Sequence, residues 1–146
     1  MNELHRANKW IYDKLVADSA IVAAVEDRIY AERAPEAAEY PFVLFNLQSG
    51  GQDTRGNCTT RLMAKPLYQI KLITDELANE TDSAAILAAV DAIDTLFQEA
   101  VTEISETMVF SARREFPIYY QEPKQNSSGL FSHYGGAYRL FIYPEA

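Results

Sequence analysis

Apolar residues recur along this chain in two different rhythms, and the change of rhythm marks its elements. Leu4, Ala7, Ile11 and Leu15 repeat at helical spacing with charged residues between them, which predicts a helix over residues 3–16. Asp18 and Ser19 are cap-forming residues ahead of Ile21, Val22 and Val25, so a short second helix is predicted through Val25. Glu26 to Tyr40 reads as a loop, punctuated by Pro35 and closed by Pro41. Phe42 to Gln48 and Leu67 to Thr74 are rich in apolar and β-branched residues and read as strands. Residues 59–65 extend the second of these, with Pro66 at an edge or bulge. Between the two strands, Ser49 to Asn57 is a polar, glycine-bearing loop, too long for a tight turn and expected to project. Ile86, Val90, Ile93 and Phe97 form one stripe of a longer helix, Asp82 to Ala100. Thr107 to Arg114 reads as a third strand, continued irregularly by Phe116 to Tyr120, and Gln121 to Ser128 as a polar loop.

The last strand, His133 to Tyr143, has two distinct faces. Tyr138, Leu140 and Ile142 lie on one side, and Ala137, Arg139, Phe141 and Tyr143 on the other. Neither face is plainly polar, so both are expected to be covered, by the chain's own helices or by a neighbouring subunit. The resulting order is α-α-β-β-α-β-β in one domain, residues 1–146. The simplest packing is α+β: an antiparallel four-stranded sheet with helices packed on one face.

Composition narrows the chemistry. At 146 residues and 48% hydrophobic, the chain suffices for one substantial core. A net charge of −8 argues against a general phosphate-binding surface but suits a wall that DNA passes without sticking. One cysteine, Cys58, excludes an intrachain disulfide framework. The start of the chain lacks a signal-peptide core, and no apolar run is long enough to span a bilayer. The N-x-Ser/Thr triplets at Asn57, Asn79 and Asn126 are therefore read as chance matches.

No catalytic, cofactor-binding or metal-binding residues are assigned. Cys58 and His133 are the one conceivable nucleophile–base pair, but neither sits in a recognisable motif. His5 and His133 are too sparse a ligand set for a metal. Gly50-Gly51 and Gly135-Gly136 precede no helix and no Lys-Ser/Thr, so they are read as conformational glycines at a bend or bulge. Asp91 and Asp94 read as a solvated helix face, and Arg113-Arg114 beside Glu115 as a local ion pair or subunit contact. The aromatics around the C-terminal strand pair outnumber what a strand pair needs, which favours an interface.

Several segments, taken in order, resemble the tail terminator (tail completion, tail-to-head joining) proteins of long-tailed bacteriophages. They are Asp18 to Val25, Arg28-Ile29-Tyr30, Ala34-Pro35, Tyr40 to Phe45, Asp53-Thr54-Arg55-Gly56, Tyr68-Gln69-Ile70-Lys71 and His133 to Arg139. The resemblance implies a non-enzymatic virion protein with an α+β fold. It would form a homo-oligomeric, hexameric ring that caps the tail tube, ends tube polymerisation and meets the connector or neck proteins of the head. In contractile tails the same ring also meets the sheath. DNA would only transit its channel, no membrane is involved, and assembly would occur in the host cytoplasm. Another neck ring component, of head-closure or connector type, is the alternative reading; a small intracellular enzyme or ligand-binding domain is the third. Residues expected at subunit or partner contacts are Gln52, Asp53, Thr54, Arg55, Arg113, Arg114, Tyr119, Tyr120, His133, Tyr134, Tyr138 and Arg139.

Overall fold

In a computed structural model, residues 3–51, 53–55, 61–75, 80–105, 107–125 and 129–144 are described. Helix α1 (Glu3–Ala17) buries Ala7, Ile11 and Leu15 of the expected stripe and adds Trp10, while Leu4 is half-buried. Helix α2 (Ser19–Val25) starts at Asp18, whose carboxylate accepts from the backbone N–H of Ala20 at 3.0 Å and of Ile21 at 3.2 Å. Strands β1 (Ile29–Ala31), β2 (Phe42–Ser49), β3 (Thr54–Arg55), β4 (Arg61–Met63) and β5 (Leu67–Thr74) follow. Helix α3 (Glu80–Phe97) then leads into β6 (Glu99–Ser105), β7 (Met108–Pro123) and β8 (Leu130–Pro144).

The expected antiparallel four-stranded sheet is wrong in number and in kind. The sheet has six strands in the order β1-β2-β5-β8-β7-β6, curls into a half-barrel, and is mixed because β1 runs parallel to β2. A separate two-stranded piece pairs β3 with β4. Two strands account for the difference. Residues 29–31 lie inside a segment that reads as loop, yet Val43 N–H donates to the Arg28 carbonyl at 2.9 Å and Glu32 N–H to the Phe45 carbonyl at 2.8 Å. Those bonds make a three-residue strand, too short to show a period of its own. At the other edge, the helix expected to reach Ala100 stops at Phe97. The Gln98 carbonyl accepts from Arg114 N–H at 3.1 Å, so sheet pairing begins where the helix ends.

The remaining strands keep their expected places: β5 has its expected bounds, β2 gains one residue, and β7 and β8 run longer. Strands β7 and β8 extend past their sequence-based limits, so most of the expected Gln121–Ser128 loop is the end of a hairpin: Lys124 N–H donates to the Gly129 carbonyl at 3.0 Å. Of the extension expected over 59–65, residues 61–63 form β4 in the separate two-stranded piece, Ala64 and Pro66 continue beside β8, and residues 59–60 lie outside the described residues. Leu140 N–H reaches the Pro66 carbonyl at 2.9 Å, and Ala64 and Ile142 bridge each other.

Val43, Phe45, Tyr68, Ile70, Leu72, Phe110, Ala112, Tyr138, Leu140 and Ile142 form the helix-side core with Trp10, Ile11, Leu15, Ile86, Ile93 and Phe97. Two tyrosines on this face fix the helices by their hydroxyls. The Tyr68 hydroxyl donates to Asn8 Oδ1 on α1 at 2.8 Å, and that of Tyr138 to Asp94 Oδ1 on α3 at 3.2 Å. Burial pushes the hydroxyl pKa of both well above the ordinary range, so they stay neutral donors; the Asp94 carboxylate adds to the effect at Tyr138.

Candidate interaction surface

Strands β7 and β8 make one long hairpin, and its distal half exposes Phe116, Tyr119 and Tyr120. A bulge between Arg114 and Phe116 divides β7 into two halves. The first half is covered by β6 and the helices. Among the described residues the second half pairs with β8 alone, and there Phe116 is 51% and Tyr119 66% exposed. A cleft of about 230 Å³ runs between this half and α3, lined by Val90, Asp91, Ile118, Tyr119, Tyr134 and Tyr138 among others. The Tyr119 and Tyr134 rings pack against each other on one wall, their centroids 5.1 Å apart.

The opposite sheet face holds a stack of Lys71, Tyr120 and His133. Lys71 Nζ donates to the Tyr120 hydroxyl at 2.8 Å and lies 5.2 Å from the centroid of that ring. The Tyr120 ring stacks on His133 at 4.2 Å and 12°. His133 is 4% exposed and Lys71 8%. Glu122 Oε1 approaches His133 Nε2 to 3.1 Å, but the approach lacks hydrogen-bond alignment, so both ring nitrogens stay unsatisfied among the described residues. Burial lowers the His133 pKa below its ordinary value of 6.5, opposed by Glu122 and assisted by Lys71. Nearer the hairpin tip, Tyr40 stacks on Phe131 at 4.9 Å, and Lys124 pairs with Asp75.

A pH dependence follows. A histidine whose folded pKa is depressed is neutral in the native state. As pH falls through the ordinary value, the unfolded chain takes up a proton that the folded chain refuses, and stability drops. Urea midpoints should therefore fall as pH is lowered from about 7 to about 5, and a His133→Gln variant should flatten that slope. An unchanged slope in the variant would remove His133 as its source.

The twelve residues expected at contacts do not form one patch. Tyr119, Tyr120, His133 and Tyr134 gather on the distal hairpin, with Tyr119 and Tyr120 exposed and His133 inside. Arg113 is exposed. Arg114 turns to α3 and pairs with Asp94 at 2.9 Å. Tyr138 is 1% exposed beneath α3, so its contribution is internal. Arg139 donates to Glu115 at 2.7 Å and to the Lys65 carbonyl at 2.9 Å, which ties three chain segments together. Asp53 and Thr54 are half-buried at β3, where Arg55 also lies; Gln52 falls outside the described residues, as do Cys58 and the three N-x-Ser/Thr asparagines. The β8 strand is bonded on both sides, by β5 and β7, and so offers no edge to a neighbour. Sequence reading counted Phe116 among the surplus aromatics without placing it among the contact residues, and it missed the Lys71–Tyr120–His133 stack. Lys71 on β5 and Tyr120 on β7 lie on either side of β8 and meet across it, in a register that follows the bulge on β7.

The glycine pair works by close approach. Register between β5 and β8 runs without a shift through Gly135 and Gly136, so the bulge is on β7 and not at the glycines. A side chain at Gly135 would collide with the Ile70 carbonyl, and one at Gly136 would meet the Tyr138 ring at 3.0 Å.

No helix of the described residues is long and apolar enough to cross a membrane, and no group of three metal-ligating side chains occurs among them. No family model and no curated protein matches this chain. Among solved structures, a chain 13% identical superposes with a TM-score of 0.55, over 98% of this chain and 97% of its own length. At that identity the likeness shows the fold alone.

Proposed function

We propose that this chain is a tail terminator: a structural subunit that closes into a ring at the head-proximal end of a phage tail tube, stops tube growth and receives the neck. The observation that supports it most is the pairing of an open sheet with two unlike edges. Strand β1 is a short parallel edge at one side, and β6 is the edge at the other. A closed ring of identical subunits needs a heterologous contact, two different patches whose rotation closes. The ordered series of tail-terminator-like segments spans nearly the whole chain, and a net charge of −8 suits a channel that DNA must cross without arrest.

Native mass spectrometry of the full chain, followed by negative-stain imaging with tail tubes, tests the reading. Six-fold rings seated at tube ends are the expected result. Rings that bind a head connector and ignore tubes would move the assignment to another neck component. A stable monomer that binds neither would overturn both.

A further inference from the structure

We propose that the outer edge of β7, from Pro117 to Pro123, is a strand-docking site for an extended, basic segment of a different protein. Bonding direction along β7 identifies the free groups. Arg114 N–H points away from β8, to the Gln98 carbonyl. On β8, Leu140 and Ile142 direct their N–H groups at the β5 side, so the odd-numbered β8 residues face β7. Ile118, Tyr120 and Glu122 pair with Gly135, His133 and Phe131 and therefore bond inward. Residues 117, 119, 121 and 123 are left facing outward. Both prolines of this strand fall in that outward set, where a missing N–H costs no ladder bond. Two outward donors remain, at Tyr119 and Gln121, and four outward carbonyls. Among the described residues no strand covers them.

This is an edge blunted at both ends and open in the middle. Prolines at the ends discourage long edge-to-edge pairing between copies. The open window fits a short added strand, the mode in which main-chain bonds give affinity and flanking pockets give selectivity. The pockets are in place. An added strand would send alternate side chains towards the apolar cleft beside Val90 and Tyr134, with Asp91 at its rim, and towards Tyr120 and Glu122 on the other face.

Charge selects the occupant. Asp91 and Glu122 are exposed beside the window, while Glu115 at its near end is already paired with Arg139 and the buried Lys71 is turned to the Tyr120 hydroxyl. A second copy of this chain would bring a net charge of −8, with six of its thirteen Lys and Arg side chains, Lys9, Lys14, Arg28, Arg114, Lys124 and Arg139, already held by carboxylates. A basic strand from another protein complements the edge, and another copy does not. The inference rests on the proposed function only for where such a partner sits, in the tube or the neck.

The test uses the full chain and two labelled decapeptides, one alternating valine with lysine and one alternating valine with glutamate. Fluorescence anisotropy should show the lysine peptide binding at least tenfold more tightly, and hydrogen exchange at the Tyr119 and Gln121 amides should slow on binding. Tyr119→Pro removes an outward donor without touching the β8 ladder and should weaken binding at least tenfold. Asp91→Lys leaves the strand unaltered and should weaken it at least threefold, which keeps the test open if the proline variant misfolds. Equal binding of both peptides, binding of neither, or loss of rings in Tyr119→Pro with peptide binding intact would overturn the proposal. Native mass spectrometry on the same samples separates the two ideas. Rings that bind no peptide overturn the docking edge alone, and a monomer that binds it overturns the ring alone.

Discussion

Alanine at Trp10 should lower the unfolding free energy by about 3–5 kcal/mol, the range for truncating a buried aromatic. Trp10 is 4% exposed and joins α1 to α3, β6 and β7. Its ring stacks on Phe110 of β7 at 5.2 Å and meets Phe97 of α3 edge-on at 5.9 Å. Its indole N–H donates to Glu103 of β6 at 3.0 Å, and Lys14 holds the other oxygen of that carboxylate at 2.6 Å. Removing the ring therefore leaves a cavity at the junction of α1, α3 and the sheet, and takes one donor from Glu103. Trp10→Phe should recover most of the loss, because it restores packing but not the hydrogen bond. Urea denaturation measures both. A loss under about 1 kcal/mol for Trp10→Ala would mean that α1 does not pack as described.

Gly135→Ala should cost about 3 kcal/mol, the upper end of overpacking. The added methyl would overlap the Ile70 carbonyl and lie 2.6 Å from Lys71 Cα, and both obstacles are backbone. No rotamer change relieves them, so β8 must part from β5 at the centre of the sheet. Gly50→Ala is the matched control. A methyl there meets nothing within 4 Å, and the change should stay within about 0.5 kcal/mol of zero. Thermal unfolding of the two variants side by side checks the contrast, and equal midpoints would contradict it.

Helical periodicity placed α1 and α3, and the Asp18 cap placed α2, because each element carries a local signal that tertiary packing reinforces. Strands β2 and β5 were legible for the same reason: apolar runs bounded by proline and polar residues. What escaped depended on non-local pairing. Strand β1 is made by hydrogen bonds to β2 across the Glu32–Pro41 connection, and three residues cannot announce a period. Strand β6 begins where a helical stripe gives way to Gln98, whose carbonyl is captured by Arg114. The candidate surface was half visible. The surplus of aromatics near the C-terminus pointed to the β7–β8 hairpin, and Tyr119 and Tyr120 do reach its surface. Tyr138 belongs to the core, because its alternation places it beneath α3, and alternation alone does not say which face the helices take. The bulge at Arg114–Phe116 then decides which residues after it meet Lys71 and His133.

Assembly state bears most directly on the proposed role. The purified chain, measured by native mass spectrometry and then imaged on tail tubes, should form closed six-fold rings that sit at tube ends and block further growth. A chain that remains monomeric and leaves tube elongation unchanged would contradict the account.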